Sequence, residues 1–123
     1  MLALSAVTLP VAAASAAPAA GHDAYSDLMV DGKFVARTYF NAGEDSFTIT
    51  KKSNYGNRPY AEYRYTKING DEQTGTHWGV AALNNPITFD HNFGKNRAVH
   101  FRTCVQVDFA IDDCDDWETG YAG

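Results

Sequence analysis

The stretch Ala98-Val99-His100-Phe101-Arg102-Thr103-Cys104-Val105-Gln106-Val107-Asp108-Phe109 decides the fold class. Val99, Phe101, Thr103, Val105, Val107 and Phe109 fall on one face, the two-residue period of a strand lying half-buried on a core. The same period runs through Lys33 to Phe40, where Phe34, Ala36, Thr38 and Phe40 oppose Val35, Arg37 and Tyr39. It returns in Ser46 to Lys51, with Phe47 and Ile49 inward against Ser46, Thr48 and Thr50. Between Leu28-Met29-Val30 and Lys33-Phe34-Val35 stands Asp31-Gly32, the signature of a two-residue type I′ hairpin. Further strands are expected at Tyr60 to Ile68, His77 to Leu83 and Ile87 to Phe89, with Asp71 to Gly75 as a polar connection. No segment shows a 3.6-residue apolar period, and turn signals punctuate the chain throughout. The pattern predicts an all-β protein, a small antiparallel β-sandwich of about six to eight strands, with a small β-barrel as the alternative.

Size and charge narrow the classes further. A chain of 123 residues has room for one domain and excludes a Rossmann or TIM-barrel enzyme. Met1 to Ala20 reads as an export signal, an apolar run followed by small residues and by Ala-x-Ala sites at Ala14-Ser15-Ala16 and Ala17-Pro18-Ala19. No Lys or Arg precedes Lys33, so the usual charged start of such a signal is missing. The expected organisation is a signal over residues 1–20, a flexible polar leader over 21–27 and one sandwich over 28–123, in a secreted, extracellular protein without a membrane span.

Export makes the two cysteines legible. In an oxidising compartment Cys104 and Cys114 are expected to form one disulfide, and closing so short a loop is worth about 2.7 kcal/mol in a chain-entropy estimate. A metal site would need further ligands, and neither a CxxC nor a close histidine pair supplies them. The acids Asp108, Asp112, Asp113, Asp115, Asp116 and Glu118 form a C-terminal stretch without Lys or Arg. The overall charge of −5 opposes non-specific nucleic-acid binding, so no nucleic-acid partner is expected. The acidic stretch lacks the order of a calcium loop and is read as a solvated face. No cofactor is implied.

The closing segment Val99-His100-Phe101-Arg102-Thr103-Cys104, followed by Asp113-Cys114-Asp115-Asp116-Trp117, resembles a group of small secreted β-sandwich proteins of actinobacteria. In that group an F-R-x-C strand pairs its cysteine with a later C-x-x-W. The resemblance implies a disulfide-bonded secreted sandwich, and by analogy a subunit of an exported assembly such as a toxin particle. A second segment, Tyr60-Ala61-Glu62-Tyr63-Arg64-Tyr65, resembles the Tyr-x-Glu-Tyr strand of small secreted microbial ribonucleases. That likeness implies Glu62 as base, Arg64 as phosphate ligand and His77 or His100 as acid, with Arg102 beside His100, in metal-independent cleavage. The N-terminal helix and the arginine-rich strand of those enzymes have no counterpart here.

Other chemistry is thinly represented. There is no Gly-x-Ser-x-Gly elbow, and the histidines stand singly. Cleavage after Ala19 would leave Ala20-Gly21-His22 at the amino terminus, a nitrogen set suited to Cu(II), which makes His22 the one metal candidate. Tyr55, Tyr60, Trp78, Trp117 and Tyr121 lie in or beside loops and are the candidate binding residues. The expected function is therefore non-enzymatic recognition of a protein partner, as a subunit or adaptor of an exported complex. A carbohydrate- or cell-wall-binding module and the small ribonuclease are the alternatives.

Overall fold

Alternating apolar residues cannot bury themselves on a single strand, and here they do so by stacking two sheets. The computed structural model describes residues 21–123. Nine strands follow in order: β1 Ala24–Val30, β2 Lys33–Asn41, β3 Ser46–Lys51, β4 Pro59–Thr66, β5 Glu72–Trp78, β6 Ile87–Asp90, β7 Ala98–Val105, β8 Asp113–Cys114 and β9 Glu118–Tyr121. One antiparallel sheet has the order β1-β2-β3-β6. The other has the order β5-β4-β7, and β8 and β9 pair with opposite ends of the remaining edge of β7. The arrangement is an all-β sandwich that does not close into a barrel, with nine strands where six to eight were expected. Among the described residues no helix is long and apolar enough to cross a membrane. The signal expected over residues 1–20 lies outside the described residues.

Local chemistry sets the corners. Asp31 and Gly32 both hold positive φ, 50° and 77°, as a type I′ turn demands, and Val30 pairs with Lys33 across it. The pairing of β1 with β2 shifts between Leu28 and Met29, leaving Val35 as an extra residue. This bulge lets Val35 and its neighbour Ala36 both turn inward, which strict alternation forbids. Between the sheets lies an aromatic cluster of Phe40, Phe47, Tyr63, Phe93 and Phe101 with Val99, Ala42 and Ala122. A smaller aliphatic cluster holds Leu28, Val35, Ala36 and Val105. Gly120 on β9 lies so close to Phe40 that an added Cβ would collide with the ring.

Three fully buried hydroxyls tie the sheets together: Ser26 on β1, Thr38 on β2 and Thr103 on β7. The Thr103 hydroxyl donates to the Ser26 carbonyl at 2.7 Å, so Thr38 supplies the proton for the 2.8 Å contact between the two threonine oxygens. The Ser26 hydroxyl accepts the Thr103 N–H at 2.9 Å and donates to Asp115 at 2.8 Å. Cys104 and Cys114 face each other across β7 and β8 and form the expected disulfide.

Three expectations need correction. Residues 21–27 are not a flexible leader: β1 begins at Ala24, and His22 exchanges two backbone hydrogen bonds with Tyr121. Their polar side chains misled because Ser26 is buried by partners far along the chain. The fifth strand covers Glu72–Trp78, not His77 to Leu83. It is an edge strand, so its Glu72, Gln73, Thr74 and Thr76 can stand in solvent. The long strand β7 ends at Val105, and Phe109 is fully exposed in the loop beyond it.

Replacing Thr103 by the isosteric valine is expected to leave the Ser26 carbonyl unpaired between the sheets. Equilibrium denaturation should register a loss of about 1–3 kcal/mol, with the β-sheet circular dichroism of the folded protein unchanged.

Candidate functional site

Ala61 and Tyr63 of β4 point into the core, so Tyr60, Glu62 and Arg64 share the outer face of their sheet. Strand register then assembles the rest. Tyr60 stands opposite Trp78 on β5 and Cys104 on β7; Glu62 opposite Thr76 and Arg102; Arg64 opposite Thr74 and His100. His100 in turn stands opposite Thr119 on β9. The face thus carries a row of aromatic and charged side chains contributed by four strands.

Specific contacts order this face. Tyr60 packs on Trp78 with ring centroids 4.5 Å apart, and the Arg58 guanidinium lies 5.1 Å from the Trp78 ring. Glu62 and Arg102 form an ion pair at 2.7 Å. Arg64 and Arg102 both place their guanidinium groups over Trp117, 4.5 and 4.8 Å from its ring centre. Cation–π attraction of this kind holds flat, charged side chains flush with an aromatic surface. Trp78 and Trp117 remain 38% and 37% exposed, enough for each to present a free ring area. A groove of about 270 Å³ opens on this face, lined by Glu62, Arg64, Thr74, Gly75, Thr76 and Trp117.

The remaining candidates are distributed elsewhere. The Tyr60 hydroxyl donates to Asp112 and the Tyr55 hydroxyl to Asp113, each at 2.5 Å. Burial, then the Asp112 carboxylate, pushes the Tyr60 phenol well above its ordinary range. Tyr55 is therefore an anchor for the β7–β8 loop, half-buried against the aliphatic cluster, rather than a free contact. Tyr121 is half-buried on β9, edge-on to His22. His22 is poorly placed for copper, because its amide nitrogen already donates to the Tyr121 carbonyl at 2.7 Å and would have to leave the sheet seam. Glu62 lies near Cys104 and Cys114, but both sulfurs belong to the disulfide and offer no thiolate to a metal.

His77 and His100, equivalent in the sequence reading, separate in the structure. His100 is on the outer face, with Nδ1 2.8 Å from the Thr119 hydroxyl. His77 points between the sheets, where its Nε2 meets Nε2 of His91 at 2.6 Å. The pair sits among aromatic rings: His77 stacks on Phe89 and Tyr63, and His91 stacks on Phe93. Sequence reasoning missed this contact, since fourteen residues and two different sheets separate the partners. Burial lowers both imidazoles below the usual 6.5, reinforced at His77 by His91 and opposed at His91 by Asp45 and Asp90.

A lowered imidazole pKa means that the unfolded chain takes up the protons first. The stabilisation is complete above pH 6.5 and is lost as pH falls through that value. Thermal unfolding between pH 7 and pH 5 should show a falling Tm, and the double substitution His77→Phe with His91→Phe should flatten that slope. Comparison with known proteins gives no match to a family model, to a curated protein or to a solved structure.

Proposed function

We propose that the protein is a secreted, non-enzymatic recognition module, a subunit or adaptor of an exported complex, and that it binds a protein partner through the outer face of the β5-β4-β7-β9 sheet. One observation carries this reading. Trp78, Trp117, Arg64 and Arg102 converge on a single open face, with the buried Tyr60 ring beneath Trp78, and tryptophan and arginine are prominent in the binding energy of protein interfaces. The arginines are already laid on aromatic rings, so little side-chain freedom remains to be lost on docking. The disulfide and the export-like residues 1–20 support the extracellular location.

The test is the native size of the protein in culture fluid, with mass spectrometry of what co-elutes. The reading expects a defined protein companion. Trp78→Ser and Arg64→Ala should each weaken its retention roughly tenfold or more while leaving the β-sheet circular dichroism of the folded protein unchanged. Retention on polysaccharide without any protein companion, or companion binding indifferent to both substitutions, overturns it.

The same face favours one second reading. Strand register makes Glu62 and His100 diagonal neighbours with Arg64 and Arg102 completing the square, the residue types that metal-free RNA cleavage needs. That reading expects RNA cleavage in EDTA buffer, abolished by Glu62→Gln. Intact RNA after prolonged incubation with wild-type protein eliminates it.

A further inference from the structure

The β7–β8 loop, residues 106–112, carries two large exposed apolar side chains. Phe109 is fully exposed and Ile111 is 92% exposed. Phe109 also holds φ at 58°, a left-handed conformation that a bulky residue rarely adopts. Nothing about the loop is slack. The Cys104–Cys114 disulfide closes its base. Asn57 donates to Asp108 at 2.6 Å, Tyr60 donates to Asp112, and Tyr55 donates to Asp113. The chain is thus held with two large apolar side chains in water, against the normal drive to bury them.

The surroundings of this prong are acidic. Asp108, Asp112 and Asp113 accept only neutral donors, and the ion pairs formed among the described residues are Arg37–Asp27 and Arg102–Glu62. A surface that receives the prong must therefore offer an apolar recess with positive charge at its rim. Anionic lipid fails on the second requirement.

The chain itself presents such a recess. The groove on the outer sheet face has a volume of about 270 Å³, room for a phenyl side chain, and its wall is the Trp117 ring. Arg64 stands at its rim and has no acidic partner among the described residues. We infer that the Phe109–Ile111 prong of one molecule docks into the Arg64–Trp117 groove of a second copy. This inference rests on the reading of that face as a protein-recognition surface and names a second copy of this chain as a partner. Prong and groove are different surfaces, so the contact is head-to-tail. Each added copy keeps one free prong and one free groove, and association continues beyond the dimer.

Sedimentation equilibrium of the purified chain tests it. Two apolar side chains make a small interface, for which a Kd on the order of 0.1–1 mM is expected. The weight-average mass should rise by about half or more as concentration increases from ~10 µM to ~1 mM at low salt, and less so in ~0.5 M salt. Phe109→Ser, which removes the prong, and Arg64→Glu or Trp117→Ser, which damage the groove, should each stay monomeric while keeping the β-sheet circular dichroism of the folded protein. Mixing Phe109→Ser with Arg64→Glu pairs one intact groove with one intact prong, and should give a dimer that grows no further. A wild-type mass that stays monomeric at ~1 mM in low salt overturns the inference. So does self-association that survives Phe109→Ser or the groove variants. A monomeric chain that still retains a different companion through Trp78 overturns self-docking alone and leaves the recognition reading standing.

Discussion

Everything in the sandwich is keyed to three hydroxyls that have no access to water. Ser26, Thr38 and Thr103 lie at complete burial on strands of both sheets, and an unpaired hydroxyl there would carry its full desolvation cost. Apolar side chains tolerate small slides of one sheet over the other, since their attraction has no direction. The hydroxyls do not, because donor and acceptor must meet near 2.8 Å. The cluster therefore selects one offset between the sheets, and Asp115, reached through the Ser26 hydroxyl, extends that choice to the segment after the disulfide. Lys51 repeats the logic at one corner: it is almost fully buried, and its ammonium is held by the carbonyls of Gly56 and Asn57. Burial of these groups stabilises little by itself and excludes much that is wrong.

The outer face inherits its order from that offset. Glu62 meets Arg102 only because β4 and β7 pair in one register, across forty residues of sequence. Trp117 reaches Arg64 and Arg102 because β9 joins β7 beside them, carried there by the disulfide and by the Asp115 N–H bonded to the Thr103 carbonyl. A flat sheet face ordered in this way needs no lid or deep cavity to be selective. Its specificity lies in which rings and charges stand next to one another.

How far the residues announced this can be judged strand by strand. The Asp31-Gly32 hairpin, the alternation of β2 and β3 and the pairing of the two cysteines were all legible, because each is local or has only one partner to choose. The phase of β2 was harder, since the bulge at Val35 places two successive residues inward and no composition rule marks it. Strand β5 escapes the alternation rule because a polar edge strand has the composition of a loop. Phe109 reads as a core residue because apolar character alone does not distinguish one from a residue displayed at a loop tip. The candidate aromatic residues were legible as a set, but only Tyr60, Trp78 and Trp117 came together. What joined them was long-range pairing, which sequence spacing does not encode. Tyr55 went instead to hold a loop, through an aspartate fifty-eight residues away.

The two sides of the sandwich are closed by unlike means. On one, the His22–Tyr121 backbone bridge carries the ladder from the first sheet to the second, so neither β1 nor β9 offers an unbonded edge at that point. On the other, β5 and β6 end their sheets with no strand beyond them among the described residues, and His77 meets His91 across the gap. Free strand edges are templates for further strands. That flank is therefore one place where the molecule is open to unplanned cross-β growth. There Glu72, the small Gly75 and the short length of β6 act as the deterrents to another chain adding itself.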